Sequence, residues 1–287
     1  MKPDKKRASR VASKGLREAL PYVREFVGKT FVIKIGGASM KNGASQDSLA
    51  KGIVLLKMVG INVILIHGGG DAVSDAMRDR GMIPTFVGGK RVTDEPTLLI
   101  VREVLAGRVN QDVTNLVTSN GADAIGINGV SMNLFDVIPA DNAAELGFVG
   151  KIVSVHVEKL KSLLNDFIPV IAPIGTGLGR IFNINGDDVA SAVASALQAE
   201  KLIYICDTPG VQREKTTIPF LDESSAIAMI FNGQITGGMV PKLHSGYAAL
   251  RNGVSKVHLI DGTEEDSLLM EIFTDTGVGT ELVLRPI

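Results

Sequence analysis

One cysteine, Cys206, occurs in 287 residues. A lone thiol excludes a disulfide framework or a thiolate zinc site within the chain. It lies in the apolar run Leu202-Ile203-Tyr204-Ile205-Cys206 and is read as a small core residue rather than a reactive group. No apolar run approaches the ~20 residues of a membrane span. An excess of either charge is also lacking. The 30 Lys and Arg face 31 Asp and Glu, for a formal net charge of −1, which excludes a generally basic protein that coats nucleic acid. Tryptophan is absent, and there are three tyrosines. The N-terminus is basic (Lys2, Lys5, Lys6, Arg7, Arg10), but no signal-peptide apolar core follows it. A reducing cytoplasm is therefore expected, with a transit peptide as the lesser alternative. Glycine is abundant, at 32 residues. Without a collagen period this points to tight turns or backbone-lined sites. An apolar content of 45% supports a sizeable core, and the length allows one large α/β domain or two lobes.

Residues 1 to 9 read as disordered. Residues 10 to 27 read as helical, with Leu16, Leu20, Val23 and Val27 on one face and a kink or break at Pro21. Apolar β-branched strands follow at 30–35, 62–66, 124–128, 168–172, 202–206 and 257–260. Helices are expected between them at 46–59, from the glycines after 67 to 80, and at 95–118, 157–164, 187–199, 241–252 and 266–273. Short strands and turns fill 131–156, and 281–284 reads as an edge strand. Strands alternating with helices in this way mean βαβ units and a mainly parallel sheet covered on both faces. Such sheets bind ligands at the carboxyl ends of their strands.

Common signatures are missing. No GxGxxG, HExxH or GxSxG occurs. Gly28-Lys29-Thr30 has the end of a P-loop, but it precedes a strand, whereas a P-loop follows one. Five short motifs remain. Lys34-Ile35-Gly36-Gly37 puts a lysine and two glycines at a strand end, an anion site or an ordinary turn with a snorkelling lysine. His67-Gly68-Gly69-Gly70 opens a helix with more glycines than a tight turn needs, and His67 is read as a hydrogen-bonding residue rather than a base. Arg91, in Arg91-Val92-Thr93-Asp94, reads as a carboxylate clamp or a surface charge. Asn183-Ile184-Asn185-Gly186-Asp187-Asp188 crowds more polar side chains than helix capping needs. Gly237-Gly238-Met239-Val240-Pro241-Lys242 again joins glycines to a lysine. Together they make a site rich in fixed positive charge and poor in nucleophiles and bases, which suits phosphoryl transfer.

In this order and spacing the five motifs resemble those of the acetylglutamate kinases, members of the amino acid kinase superfamily, from about residue 16 to 283. The resemblance implies an open αβα sandwich with a mainly parallel central sheet, two lobes and an N-terminal helical extension. It implies a tail and helix at 1–29, an N-lobe at 30–196 for N-acetyl-L-glutamate and the dimer contact, and a C-lobe at 197–287 for ATP with Mg2+ carried on it. It assigns Lys34, Lys242 and Asp187 to catalysis, and Gly69, Gly70, Arg91 and Asn183 to acetylglutamate. Gly36, Gly37, Asp207, Thr208, Gly210 and Thr236 fall in the nucleotide segments. Tyr22, Lys201, Glu271 and Gly277 resemble the arginine site of arginine-inhibited hexameric members, which are trimers of dimers. The chain departs from the family pattern at Ala38-Ser39, Asp71, Lys90 and the acidic segment Thr263-Glu264-Glu265-Asp266. Two alternatives stay open at this stage: a related kinase acting on another carboxylate, such as an aminoadipate derivative, and a non-catalytic amino-acid sensor of the same fold.

Overall fold

The computed structural model describes residues 5–37, 43–275 and 277–285, with side chains from Ser13 onward. Ala38-Ser39 and the side chains of the basic run through Arg10 lie outside the described residues. Eight strands form one sheet, in the order Phe220–Asp222, Thr280–Val283, Lys256–Asp261, Lys201–Cys206, Thr30–Ile35, Asn62–His67, Ile168–Ala172 and Ala124–Asn128. All neighbours run parallel except Lys256–Asp261 and Thr280–Val283. Helices cover both faces, so the fold is the expected α/β sandwich.

Strand alternation decides which residues meet which helices. In the first strand Phe31, Ile33 and Ile35 enter one core, packed with Leu49 and Ile53 of the Gly43–Met58 helix, Val113 and Val117 of Asn110–Ser119, and Leu268 and Ile272 of Ser267–Phe273. Val32 enters the other core, with Val189 and Val193 of Gly186–Leu197 and Leu243 and Tyr247 of Met239–Arg251. Lys34, two residues on from Val32, shares its face. Beyond the main sheet lie a four-stranded sheet built from 135–183 and two short hairpins, Phe86–Val87 with Lys90–Arg91 and Gln212–Arg213 with Thr216–Thr217.

The structure corrects several expectations. Residues from Lys5 belong to one helix, Lys5–Phe26, which continues through Pro21. Pro21 is exposed, so water can satisfy the carbonyl that loses its amide partner. A helix at Glu223–Phe231 was not foreseen, because Ile227 and Phe231 face solvent and blur its apolar stripe. Thr280–Val283 is second from the edge, covered by the three-residue strand Phe220–Asp222. The long helix expected at 95–118 runs from Glu95 to Ser119, with a π-helical stretch at Arg102–Val109.

Candidate active site

Three charged side chains converge at the carboxyl end of the sheet. Lys34 is delivered by strand alternation to the face covered by the Gly186–Leu197 helix. That helix starts where it does because Asn185 caps it, its Oδ1 accepting from the N–H groups of Asp187 at 2.7 Å and Asp188 at 3.3 Å. Asp187 therefore sits in the first turn, where the helix dipole favours an anion. Lys34 Nζ lies 2.8 Å from Asp187 Oδ1, and Lys242 Nζ lies 3.3 Å from Oδ2. Lys34 and Asp187 are buried, and Lys242 is nearly so. Burial pushes the Asp187 carboxyl up, but the two lysines outweigh it and hold it below the ordinary value. Burial likewise pushes Lys242 down, and Asp187 more than reverses that. Two cations around one anion leave one positive charge in excess. One turn further in, Ser191 Oγ donates to the Ser245 carbonyl at 2.8 Å, Ser245 Oγ donates to the Lys242 carbonyl at 3.1 Å, and Tyr204 OH donates to Ser245 Oγ at 2.7 Å. These bonds tie together the helices that carry Asp187 and Lys242.

Two cavities meet at this cluster, sharing Lys34, Gly37 and Gly70. The first, about 210 Å³, is lined by Gly69, Arg91, Asn183 and Asn185, with an apolar wall including Val73, Val101 and Leu105. The glycine run spans it. A Cβ on Gly68 would lie 3.7 Å from Lys34 Nζ, and one on Gly70 would lie 4.0 Å from an Arg91 nitrogen. A cation thus stands at each end. Gly69 has φ +149°, and a Cβ there would meet Leu105 Cδ2 at 2.5 Å, so a larger residue would be strained and would have to displace Leu105. Arg91 is buried beneath Phe86 and donates to Gly70 O at 2.6 Å, Ser74 Oγ at 2.8 Å and Met77 Sδ at 3.3 Å. These acceptors are neutral, and Asp71 is the anion that acts on the guanidinium. Asn183 donates to Thr93 Oγ1 at 3.1 Å.

The second cavity, about 400 Å³, is lined by Gly36, Asp207, Thr208, Thr236, Gly238 and Lys242. Gly210 does not line it: with φ +99° it turns the chain against Thr280. The glycines are not uniformly anion donors. The N–H of Gly36 bonds Ile205 O and that of Gly68 bonds Ile35 O, whereas Gly70 opens a helix whose first amides lack intrahelical partners. Cys206 lines the second cavity, but burial pushes its thiol up to about 12.

His67 falls on the opposite sheet face. Its Nε2 accepts from Asn110 Nδ2 at 3.1 Å, so Nδ1–H donates to Gly68 O at 2.7 Å. Burial pulls its pKa down to about 4, which keeps it neutral. The unfolded chain takes up that proton near 6.5, so stability falls as pH drops from about 6.5 towards 4. From pH 7 to pH 5 this amounts to about 2 kcal/mol. Urea midpoints of wild type and His67→Asn over that range test this, and equal slopes would contradict it.

Away from the cavities, Lys201 and His258 stand on the same face as His67, with Lys201 Nζ donating to His258 Nε2 at 3.2 Å and His258 Nδ1 facing Glu271 Oε1 at 2.6 Å. Glu271 Oε2 accepts from the amides of Val278 at 2.7 Å and Gly279 at 3.1 Å. Gly277, at φ +54°, packs against the same carboxylate. Phe26 of the N-terminal helix lies over Lys201, and Tyr22 donates to Asp275. Tyr22, Lys201, Glu271 and Gly277 are thus neighbouring elements of one region. Sequence reading missed His258, although its register opposite Ile203 sets it on the Lys201 face. It also missed Asn185 as a cavity residue. The P-loop-like Lys29 is a surface residue paired with Glu200 at 3.3 Å.

Among the described residues no helix is long and apolar enough to cross a membrane. Residues 29–261 match the amino acid kinase family. An acetylglutamate kinase of Chlorobaculum parvum is 46% identical over 99% of this chain and 95% of its own length. N-acetylglutamate synthase from Neisseria gonorrhoeae, solved with coenzyme A and N-acetylglutamate, superposes with a TM-score of 0.84 at 28% identity over 96% of this chain, which spans 64% of that one. Carbamate kinase from Giardia lamblia, bound to AMP-PNP, shares the fold with a TM-score of 0.64 at 14% identity over 90% of this chain and 99% of its own. The cation-ended cavity, the buried lysine–aspartate–lysine cluster and near full-length identity agree: the chain belongs to the amino acid kinase family and, within it, to the acetylglutamate kinases.

Proposed function

We propose that the chain transfers the terminal phosphoryl group of ATP to the γ-carboxylate of N-acetyl-L-glutamate, forming N-acetyl-L-glutamyl 5-phosphate for arginine biosynthesis. The observation that carries this reading is the first cavity, with Lys34 at one end and Arg91 at the other. A dicarboxylate fits it end to end. Arg91 and Asn183 hold the α-carboxylate, Gly69 and Gly70 shape the floor, and the apolar wall receives the acetyl methyl group. The γ-carboxylate is left beside Lys34. The second cavity takes the nucleotide, with Gly36, Gly37, Asp207, Thr208 and Thr236 around it. The turn at Gly210 shapes this region from outside the lining. The N-lobe, 30–196, supplies most of the acceptor side and the C-lobe, 197–287, most of the donor side.

Chemistry then needs little from the protein beyond charge and position. The γ-carboxylate is ionised at neutral pH (pKa ~4.3), so no general base is required, and neutral His67 is not one. ATP supplies the phosphoryl group, with Mg2+ on its phosphate oxygens. A carboxylate oxygen bonds to the terminal phosphorus as the bond to the bridging oxygen breaks, and ADP leaves. Lys34, which faces both cavities, offsets the repulsion between the two anions. Lys242 compensates charge on the departing side. Asp187 keeps Lys242 charged and holds the two lysines apart. Trapping the acyl phosphate with hydroxylamine in the presence of ATP tests the activity, and no ATP-dependent hydroxamate from acetylglutamate would refute it.

We further propose feedback inhibition by arginine at the cluster of Tyr22, Lys201, Glu271 and Gly277, to which the structure adds His258. A buried carboxylate and a buried ammonium, held by His258 between them, present complementary partners for a guanidinium and an α-carboxylate. The gonococcal synthase has also been solved with L-arginine. The same extension would join dimers into a hexamer. Inhibition of the wild type by arginine that Glu271→Gln abolishes is the expected result. A wild type insensitive to arginine would refute the regulatory reading and leave the catalytic one standing.

A further inference from the structure

Beside Arg91 stands a second cation that the reading above does not use. Lys90 opens the second strand of the short hairpin of 86–91 and lines the first cavity with Arg91. Its Nζ lies 3.0 Å from Asp188 Oδ2, and both side chains are about two-fifths exposed, at 36% and 43%. Asp188 follows Asp187 in the first turn of the same helix. The hairpin turns on Gly88 and Gly89, at φ +56° and +76°, the backbone of a tight primed turn. The ion pair therefore joins the hairpin that carries Arg91 to the helix that carries Asp187, at the rim of the cavity.

We infer that Lys90 is a specificity-determining residue which exchanges Asp188 for the substrate's α-carboxylate. The inference rests on the proposed acetylglutamate reading and deepens it. Three observations carry it. An ion pair this exposed is held weakly and is free to change partners. The γ-carboxylate must reach Lys34, so the α-carboxylate comes to the Arg91 end, where Lys90 lines the wall. Asp188 competes with the substrate for the same ammonium at the rim, so removing its charge would leave Lys90 wholly to the α-carboxylate. A mere structural latch between hairpin and helix predicts something else: loss of either partner would loosen the cavity alike, for any acceptor.

The test compares N-acetylglutamate with its α-carboxamide (N-acetylisoglutamine) on wild type, Lys90→Leu and Asp188→Asn, reading KM and kcat separately. Lys90→Leu is expected to raise KM for the acid by about three- to fivefold, the upper part of the range for one exposed charge contact, while KM for the amide moves less than twofold. Asp188→Asn, which frees Lys90, is expected to leave KM for the acid unchanged or lower. Equal effects of Lys90→Leu on acid and amide, or a rise in KM for the acid with Asp188→Asn matching that of Lys90→Leu, would overturn the inference in favour of the latch. A wild type that phosphorylates neither compound fails the functional reading itself, and so is told apart from a wild type that works and a Lys90→Leu enzyme that still discriminates as well.

Discussion

Replacement of Lys242 by alanine is expected to lower kcat by about 10² or more, the scale of removing one donor to charge that develops in the transition state. Lys242 lines the cavity assigned to the nucleotide and not the other one. The loss should therefore fall on kcat and on the KM for ATP, with the KM for acetylglutamate changing little. Lys34→Met should match it in kcat and disturb both substrates, because Lys34 lines both cavities. Initial rates with each substrate varied in turn check the pattern. Unchanged turnover in Lys242→Ala would refute its role.

The second large effect belongs to Asp187. Asp187→Asn keeps the shape of the side chain and removes the charge that separates two buried lysines. Breaking a buried pair on one side costs about 3–5 kcal/mol, because an uncompensated charge is left behind. Thermal unfolding should register that loss. The kinetic signature is more specific. Burial already pushes Lys242 down, and Asp187 is the foremost of the groups that reverse it, so in Asp187→Asn the lysine sheds its proton at a lower pH. The variant's residual activity should then rise as pH falls from alkaline towards neutral, whereas the wild-type rate should be flat there. In the wild type the depressed Asp187 pKa contributes stability above the unfolded value of ~3.9, lost as pH falls below it. A variant with wild-type stability and an unshifted profile would show that Asp187 does not hold the lysines.

Much of this site could be read from the sequence because its residues sit at strand ends and helix starts, where local chemistry is distinctive. Lys34 interrupts a buried β-branched run, and Asn185 followed by two aspartates marks a helix start. The fold class followed from the same alternation. Features that depend on which elements pack together were not legible. Nothing local to Lys90 announces Asp188, 98 residues away. His258 sits in an apolar strand where one polar residue has many explanations, and only its register beside Lys201 gives it meaning. The helix Glu223–Phe231 was missed because its outward residues include Ile227 and Phe231, exposed at 57% and 90%, which erases the periodic contrast. Gly210 lies in a segment that carries nucleotide-lining residues, yet its own task is to turn the chain against Thr280, which no motif reveals.

The central sheet passes from the acceptor side to the donor side without interruption. Thr30–Ile35 is hydrogen-bonded to Asn62–His67 on one flank and to Lys201–Cys206 on the other. Neither flank can melt by itself without exposing Phe31, Ile33, Ile203 and Ile205, all fully buried. Unfolding should accordingly be one cooperative event, and occupation of either cavity should protect the entire chain against heat or protease in proportion to the logarithm of ligand concentration. In a cell, starvation for one substrate would remove only that ligand's share of the protection, and the share of the other would still extend over both flanks of the sheet.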